Sequence, residues 1–350
     1  MKYRLLTAAL AAGLITLPVR AAEIVGTGAT FPAKVYTQWA EQYGKSTGVS
    51  VKYAGTGSGQ GVKQISARAV DFGATDVPMS AAELDKAKLF QFPTLVGGVV
   101  PVVHLPGLAD GTLRLTGEAL ARIFSGQIAR WNDPAIAQLN PGLRLTALPI
   151  TRIVRADHSG TTEVFVAYLG GADASAAASL PRKGGASAWP GTVMAVEGSA
   201  KVAQTVRDTP GAIGYISSDY VLREKLVPVW LRNRSGEWIK PDVASYRAAV
   251  RAGKLFADSL EAKPLLDLEG AGVWPIVTAT YVVVDRSPQS LERSAQTLSF
   301  FYEAFLQGDR AVAGSGFAPL PPATQARIVG ALANFRSADG QRVPLMAAPR

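Results

Sequence analysis

The sequence predicts an α/β protein with two lobes, on the strength of three observations. Beyond its N-terminal segment the chain alternates apolar strands with amphipathic helices in the order β-α-β-α-β, which is typical of a parallel sheet covered by helices. Two long, apolar, β-rich stretches, Phe92–Leu105 and Trp274–Val284, bracket a middle block of the chain. The length of 350 residues favours about two domains. We therefore expect the chain to cross twice between the lobes, with residues 22–103 and 277–350 in the first lobe and residues 104–276 in the second.

The N-terminus has the pattern of a secretory signal peptide. Lys2 and Arg4 precede an apolar segment, Leu5–Leu17, and residues 19–21 offer a cleavage site. The apolar segment is shorter than the ~20 residues that a membrane span needs. A buried first helix is the alternative. We predict that residues 1–21 are a cleaved signal peptide and that the mature protein is periplasmic.

Apolar spacing gives the order of the first elements. Pro32 lies at the start of the first helix, where proline is tolerated, and Gly48 ends that helix. A glycine-rich loop leads into the second helix, for which Ser58 is the candidate N-cap. The strands fall at residues 23–25, 49–53 and 70–73. The two helices between them are marked by Val35, Trp39 and Tyr43 and by Val62, Ile65 and Ala69. From about Ser290 the chain is predicted to be helical again and to return to the first lobe.

Three loops share a construction that suits anion binding: a strand end, small residues and then a helix start. They are Ala29-Thr30-Phe31, Gly57-Ser58-Gly59 and the segment from Arg155 to Thr161, which precedes a helix closed by Gly170-Gly171. Helix N-termini expose unpaired backbone N–H groups and a partial positive charge, and hydroxyl groups add further donors. Arg155 adds a charge-assisted contact to a tetrahedral oxyanion. The alternative for each loop is ordinary helix capping.

Asp76 follows the third predicted strand, beside two of these loops. A carboxylate there repels a bare anion, but it accepts a hydrogen bond from an anion that carries a proton. Phosphate keeps at least one proton near neutral pH, whereas sulfate does not. A site built around such a hydrogen bond rejects an analogue that lacks it by as much as ~10⁴–10⁵. The alternative is a surface carboxylate that caps the following turn, Ser80–Glu83.

Composition excludes several classes of site. Apolar residues make up 48% of the chain and charged residues 18%, which excludes a disordered protein. Cysteine is absent, so no disulfide, cysteine-based zinc site, iron–sulfur cluster or thiol nucleophile forms. Only His104 and His158 are available as histidine ligands, and we predict no cofactor and no metal. The net charge of +9 suits an anionic ligand, while the scarcity of basic runs disfavours nucleic acid.

Eight segments of the chain resemble the periplasmic phosphate-binding proteins of phosphate ABC transporters. They are GTGATFPAKVYTQWAEQY, YAGTGSGQGVKQI, VDFGATDVPMS, FQFPTLVGGVVPVV, IFSGQIARWNDPAIAQLNPG, RADHSGTTEVFVAYL, PGAIGYISSDYV and FAPLP. The resemblance extends from about Ile24 to Val329, nearly the whole mature chain. It implies a type II periplasmic binding protein fold, in which two α/β lobes are joined by two crossover strands and the ligand cleft lies between them.

The resemblance also implies a set of phosphate contacts divided between the two lobes. The implied contacts are Thr30, Phe31 through its backbone N–H, Ser58, Asp76, Arg155, Ser159, Gly160 and Thr161. Asp76 is the implied proton acceptor, and Asp157 is expected to pair with Arg155 and hold its guanidinium.

The sequence departs from the family pattern near this implied site. His158 stands where the family usually has glycine, and Gly59 stands in place of a usual serine. We expect the His158 side chain to point to solvent, the alternatives being an added pH-sensitive donor or a narrower cleft. The segment from Gly170 to Gly198 is also shorter than usual.

The function implied by the resemblance is binding and not catalysis. The protein is expected to capture inorganic phosphate as a monomer and to deliver it to an inner-membrane ABC permease. Two alternatives stay open, a secreted alkaline phosphatase-like enzyme and a phosphate-sensing protein on the same scaffold. An enzyme would need an activated nucleophile or a metal cluster, and neither is evident in the sequence.

Overall fold

The computed structural model of the protein describes residues 23–108, 113–181, 189–254, 265–307 and 309–346. The predicted signal peptide, residues 1–21, lies outside the described residues. The strands are β1 Glu23–Gly28, β2 Ser50–Gly55, β3 Phe72–Thr75, β4 Leu89–His104, β5 Arg114–Leu115, β6 Thr151–Arg155, β7 Met194–Val196, β8 Ala212–Ser217, β9 Val227–Pro228, β10 Trp230–Arg232, β11 Trp238–Ile239, β12 Leu265–Leu266 and β13 Ile276–Asp285. The helices are α1 Ala33–Thr47, α2 Ser58–Ser66, α3 Ala81–Ala87, α4 Gly117–Ser125, α5 Pro134–Ala137, α6 Gly160–Ala172, α7 Ala174–Ala177, α8 Gly198–Asp208, α9 Ser218–Arg223, α10 Val243–Ala252, α11 Leu291–Gln307, α12 Asp309–Val312 and α13 Pro322–Ala333.

The sheet of the first lobe has the strand order β2-β1-β3-β13-β4. β1 pairs in parallel with both β2 and β3, which confirms the predicted β-α-β-α-β unit. β13 is antiparallel to β3 and to β4, so the complete sheet is mixed and not parallel throughout. β13 is antiparallel to its neighbours because the chain returns from the second lobe and inserts β13 between β3 and β4.

β4 is the strand that links the two lobes. Its first part pairs with β13 over residues 89–98, and its last part, residues 99–104, pairs with β8 of the second lobe. The second lobe then continues in the order β8-β6-β7, with parallel pairing. The two predicted β-rich stretches are thus the long strands β4 and β13, and the two-lobe α/β architecture is confirmed.

Each lobe has an aromatic core on its sheet. In the first lobe the rings of Phe72 and Phe301 meet edge to face, with centroids 4.9 Å apart. In the second lobe Phe165 stacks on Tyr215 at 4.4 Å. These ring contacts pack α11 on β3 in the first lobe and α6 on β8 in the second. In the part of the chain that is described, no helix combines the length and the hydropathy of a membrane span.

Three predicted boundaries are wrong by a few residues. Ser58 is the first residue of α2 and not its N-cap, because Gly57 takes the cap position with φ 98°, a conformation that suits glycine. α2 also ends at Ser66, before Ala69. Likewise α6 continues past the two glycines that were expected to close it and ends at Ala172.

Candidate anion-binding site

The loops at the carboxyl ends of four strands meet where the two lobes face each other. Thr30 follows β1, Ser58 and Asp76 follow β2 and β3, and Arg155 is the last residue of β6. The polar side chains among the predicted contacts are all buried, and they are Thr30, Ser58, Asp76, Arg155, Ser159 and Thr161. The carboxyl ends of strands, where helices begin, are the usual ligand positions of such sheets.

Hydrogen bonds and close contacts connect the predicted residues across the lobes. Arg155 Nη1 donates to Thr30 Oγ1 at 3.2 Å, and Thr161 Oγ1 donates to Asp76 Oδ2 at 3.5 Å. A Cβ atom at Gly160 would lie 2.5 Å from Ser58 Oγ, so α6 begins directly against the first lobe. The structure therefore brings these residues into one cluster, as the sequence predicts.

The other two predicted contacts are held at helix starts. Ser159 is the N-cap of α6, and its Oγ accepts from the N–H of Thr162 at 3.3 Å. Phe31 buries its ring against Phe317, with centroids 5.0 Å apart, next to the first turn of α1. This packing fixes the backbone of Phe31 beside Thr30, so its N–H is positioned by the core and not by a side chain of the cluster.

Asp157 holds the guanidinium of Arg155. Arg155 Nε donates to Asp157 Oδ1 at 2.6 Å, and Nη2 forms a second ion-pair contact with Oδ2. Although burial alone raises it, the pKa of Asp157 is held below its usual value by Arg155 and by the N–H of Gly198. This bidentate pairing confirms the predicted partner and leaves Nη1 facing the two hydroxyls with which it is in contact.

Asp76 is a buried carboxylate and not a surface cap. It is 2% exposed, and its Oδ1 accepts a hydrogen bond from Thr280 Oγ1 at 2.7 Å. Burial raises the pKa of Asp76 to about 7, although Thr280 and the charge of Arg155 both act to lower it. Ser80 instead caps α3, in a capping box with Glu83, so the alternative of a capping role for Asp76 is wrong.

Two residues of the cluster were not predicted from the sequence. Ser199 Oγ lies 2.8 Å from Thr30 Oγ1 and 3.3 Å from Arg155 Nη1, and it is buried at the start of α8. The segment from β7 through Gly198 has the same construction as the three predicted loops. This pattern is the sequence signal by which Ser199 could have been found. Thr280 lies on β13, where Thr278 and Thr280 share one face of a buried strand and Val277 and Ala279 face the other way.

The cluster has the chemistry of a site for a protonated oxyanion. The guanidinium of Arg155 and the hydroxyl groups supply donors, and the starts of α1, α2 and α6 add backbone N–H groups. Asp76 supplies an acceptor within the same cluster. A ligand that bears both oxygen acceptors and one O–H donor matches this arrangement.

Comparison with known proteins identifies the family. Residues 17–305 match the model of the PBP superfamily domain. The chain is 38% identical over 307 residues to the phosphate-binding protein PstS of Xylella fastidiosa (strain Temecula1 / ATCC 700964), which covers 87% of this chain and 83% of that protein. The chain belongs to the PstS family. It is also 36% identical over 321 residues to the phosphate-binding protein PstS of Pasteurella multocida (strain Pm70), covering 92% of this chain and 93% of that one.

Solved structures show the same fold as this PstS-family chain. A phosphate-binding protein from Stenotrophomonas maltophilia matches with a TM-score of 0.69 and 20% identity, covering 93% of this chain and all of that one. PfluDING, a high-affinity periplasmic phosphate-binding protein bound with phosphate, matches with a TM-score of 0.67 and 20% identity over 92% of this chain and 96% of that one. At these identities the likeness concerns the fold, which is the two-lobe α/β architecture described above.

Proposed function

We propose that this protein captures inorganic phosphate between its two lobes and delivers it to an inner-membrane ABC permease for uptake. The observation that carries the proposal is the buried carboxylate of Asp76, which lies among the donors of an oxyanion site and contacts Thr161 of the opposite lobe. A general anion receptor gains nothing from a carboxylate in that position. A receptor for a protonated oxyanion gains a specific hydrogen bond.

The phosphate contacts in this proposal are the eight predicted residues. Thr30, Phe31, Ser58 and Asp76 act from the first lobe, which comprises residues 22–103 and 277–350. Arg155, Ser159, Gly160 and Thr161 act from the second, which comprises residues 104–276. Each charge-assisted hydrogen bond contributes about 1.5–3 kcal/mol, and micromolar binding requires about −8 kcal/mol. The set is therefore sufficient for tight binding after the costs of desolvation and lobe closure.

Asp76 selects phosphate over sulfate in this mechanism. A phosphate O–H donates to one carboxylate oxygen, while the remaining phosphate oxygens accept from Arg155, the hydroxyls and the backbone N–H groups. Thr280 holds the other carboxylate oxygen, which fixes the direction of the acceptor. Above about pH 7, where Asp76 is ionised, sulfate offers no proton, so its lone pairs would face the Asp76 carboxylate in a site from which water is excluded.

Binding without catalysis is the second part of the proposal. The relatives named above are phosphate-binding proteins. Two serine hydroxyls of the cluster accept hydrogen bonds from backbone N–H groups, Ser58 from Asp76 and Ser159 from Thr162. This geometry suits side chains that cap and contact an anion. We propose that the mature protein acts as a periplasmic monomer, exported by residues 1–21, and does not hydrolyse phosphate esters.

Phosphate uptake by cells tests this function. A strain that lacks the gene is expected to take up radiolabelled phosphate more slowly at limiting concentration, and the wild-type gene is expected to restore the rate. A gene that encodes Arg155→Lys is expected to restore it poorly, because lysine cannot make the bidentate pair that orients the charge. Unchanged uptake in the deleted strain, or release of phosphate from an aryl phosphate by the purified protein, would contradict the proposal.

A further inference from the structure

The two lobes touch at a pair of residues outside the proposed phosphate contacts. The backbone N–H of Gly59, in the first turn of α2, donates to the carbonyl oxygen of His158 at 3.2 Å. His158 is itself exposed, as expected from the sequence, but its Cβ faces Gly59. The contact therefore lies at the edge of the cluster, where the closed lobes meet.

A side chain at position 59 does not fit this contact. A Cβ atom built on Gly59 would lie 2.6 Å from His158 Cβ and 3.1 Å from both Cγ and Nδ1 of the same residue. No change of rotamer relieves the first distance, because Cβ moves only with the backbone. That backbone is held on both sides, by Asp157 in its ion pair with Arg155 and by Ser159 as the N-cap of α6.

The folding of the first lobe does not require glycine at position 59. Gly59 lies inside α2 with ordinary helical backbone, unlike Gly57, whose φ is 98°. Serine and alanine both have higher helix propensity than glycine at such a position. The conflict arises only when the second lobe approaches, and so it concerns closure and not folding.

We propose that Gly59 and His158 are a matched pair that sets how completely the two lobes close, and through closure the affinity for phosphate. The inference rests on the proposed function. The two residues lie 99 positions apart in the chain, and the structure puts them face to face. The side chain of His158 occupies the space that a side chain at position 59 would need.

A double-mutant cycle with calorimetric phosphate titration tests the pair. Gly59→Ser is expected to weaken phosphate binding by about tenfold or more, because overpacking at a closed contact is costly. In the His158→Gly background the same change is expected to alter affinity by no more than about twofold. Gly59→Ala carries the same Cβ and is expected to behave like the serine variant. Gly330→Ser is the matched control, since Gly330 is a helical glycine of α13, and among the described residues no atom beyond its own helix backbone and chain neighbours lies within 4 Å of its Cβ position.

The outcomes separate this inference from the proposed function. Wild-type affinity in Gly59→Ser, or an equal loss in both backgrounds, would overturn the matched pair while leaving phosphate binding intact. Absence of phosphate binding by the wild-type protein would overturn the proposed function and the pair together. Thermal unfolding of the ligand-free variants provides a second readout. We expect ligand-free Gly59→Ser to unfold at or above the wild-type temperature and its unfolding temperature to rise less on addition of phosphate. A general folding defect would instead lower the unfolding temperature of the ligand-free variant.

Discussion

Arg155 of the second lobe donates a hydrogen bond to Thr30 of the first lobe at 3.2 Å, so one guanidinium spans the boundary between the lobes. Asp157 holds the other two nitrogens of that guanidinium, which is 1% exposed. The charge that attracts an anion is thus fixed in orientation by its own lobe and reaches the opposite lobe through a single nitrogen. Closure of the lobes and completion of the site are therefore one event.

Replacement of Asp76 by asparagine should reduce selectivity more than stability. Asparagine keeps the shape and the contact with Thr280, but it removes the charged acceptor for the ligand proton. Phosphate affinity is expected to fall by about 10–100-fold, the equivalent of one charge-assisted hydrogen bond. Sulfate, which is expected to give no detectable heat with the wild type, is expected to bind measurably to the variant, and calorimetric titration with each anion tests both changes.

The control for this change is Asp85→Asn, an exposed aspartate on α3 of the same lobe. It removes one negative charge from the lobe without touching the cluster. If Asp85→Asn lowers the selectivity as much as Asp76→Asn does, the effect comes from overall charge and the role assigned to Asp76 is wrong.

Ser199→Ala tests a residue of the cluster that lies outside the three predicted loops. Its hydroxyl group contacts Thr30 and Arg155, and both are proposed phosphate contacts. Loss of the hydroxyl is expected to weaken phosphate binding by about 2–10-fold, as for one neutral hydrogen bond. Ser175→Ala, at an exposed position of α7, is the matched control and should bind as the wild type does. Equal affinities in the two variants would remove Ser199 from the site.

Asp219 makes a pH-dependent contribution to stability. This buried residue accepts hydrogen bonds from Ser217 and Arg223, yet burial raises its pKa to about 7. The unfolded chain has a carboxyl pKa of about 3.9. Between these values the folded protein binds more protons than the unfolded one, so stability falls as the pH rises from about 4 to about 7.

Asp219→Asn lacks this titration. The free energy of unfolding of the variant minus that of the wild type is expected to rise by about 2–3 kcal/mol from pH 5 to pH 8, because only the wild type loses stability over this range. Asp76, whose pKa burial also raises to about 7, is present in both proteins and cancels in the comparison. Urea unfolding at the two pH values measures the difference. A constant difference between the two proteins would show that Asp219 does not titrate in this window.

The N-terminal prediction has a direct chemical test. Protein recovered from the periplasm of an expressing bacterium is expected to begin at Ala22, because residues 1–21 have the composition of a cleaved signal peptide. Intact-mass measurement distinguishes this product from the full chain of 350 residues. Retention of Met1 in the periplasmic protein, or its absence from the periplasm, would contradict the prediction.

Local sequence patterns were sufficient for much of the fold and the site. Hydrophobic spacing predicted α1, and the pattern of a strand end, small residues and a helix start predicted the loops that contain Thr30, Ser58 and Ser159. Two kinds of information were missing. The insertion of β13 between β3 and β4 depends on pairing across about 200 residues, which no local pattern encodes. Thr280 lies on that strand, so its hydrogen bond to Asp76 could not be predicted for the same reason.

Position 59 shows a different limit. Gly59 and His158 are 99 positions apart in the chain. Only the closed arrangement of the lobes places them 3.2 Å apart, from backbone nitrogen to carbonyl oxygen. Contacts between lobes are set by tertiary structure, and for this reason no local pattern shows that Gly59 and His158 meet.

Calorimetric titration of the mature wild-type protein at pH 8, stripped of bound ligand, with phosphate and then with sulfate shows whether Asp76 recognises the proton of the ligand. We expect one-to-one phosphate binding at micromolar affinity or tighter and no detectable heat with sulfate, because only phosphate carries a proton for the ionised Asp76. Equal binding of the two anions would contradict the role of Asp76 and indicate a general oxyanion receptor. Binding of neither anion would contradict the proposed function itself.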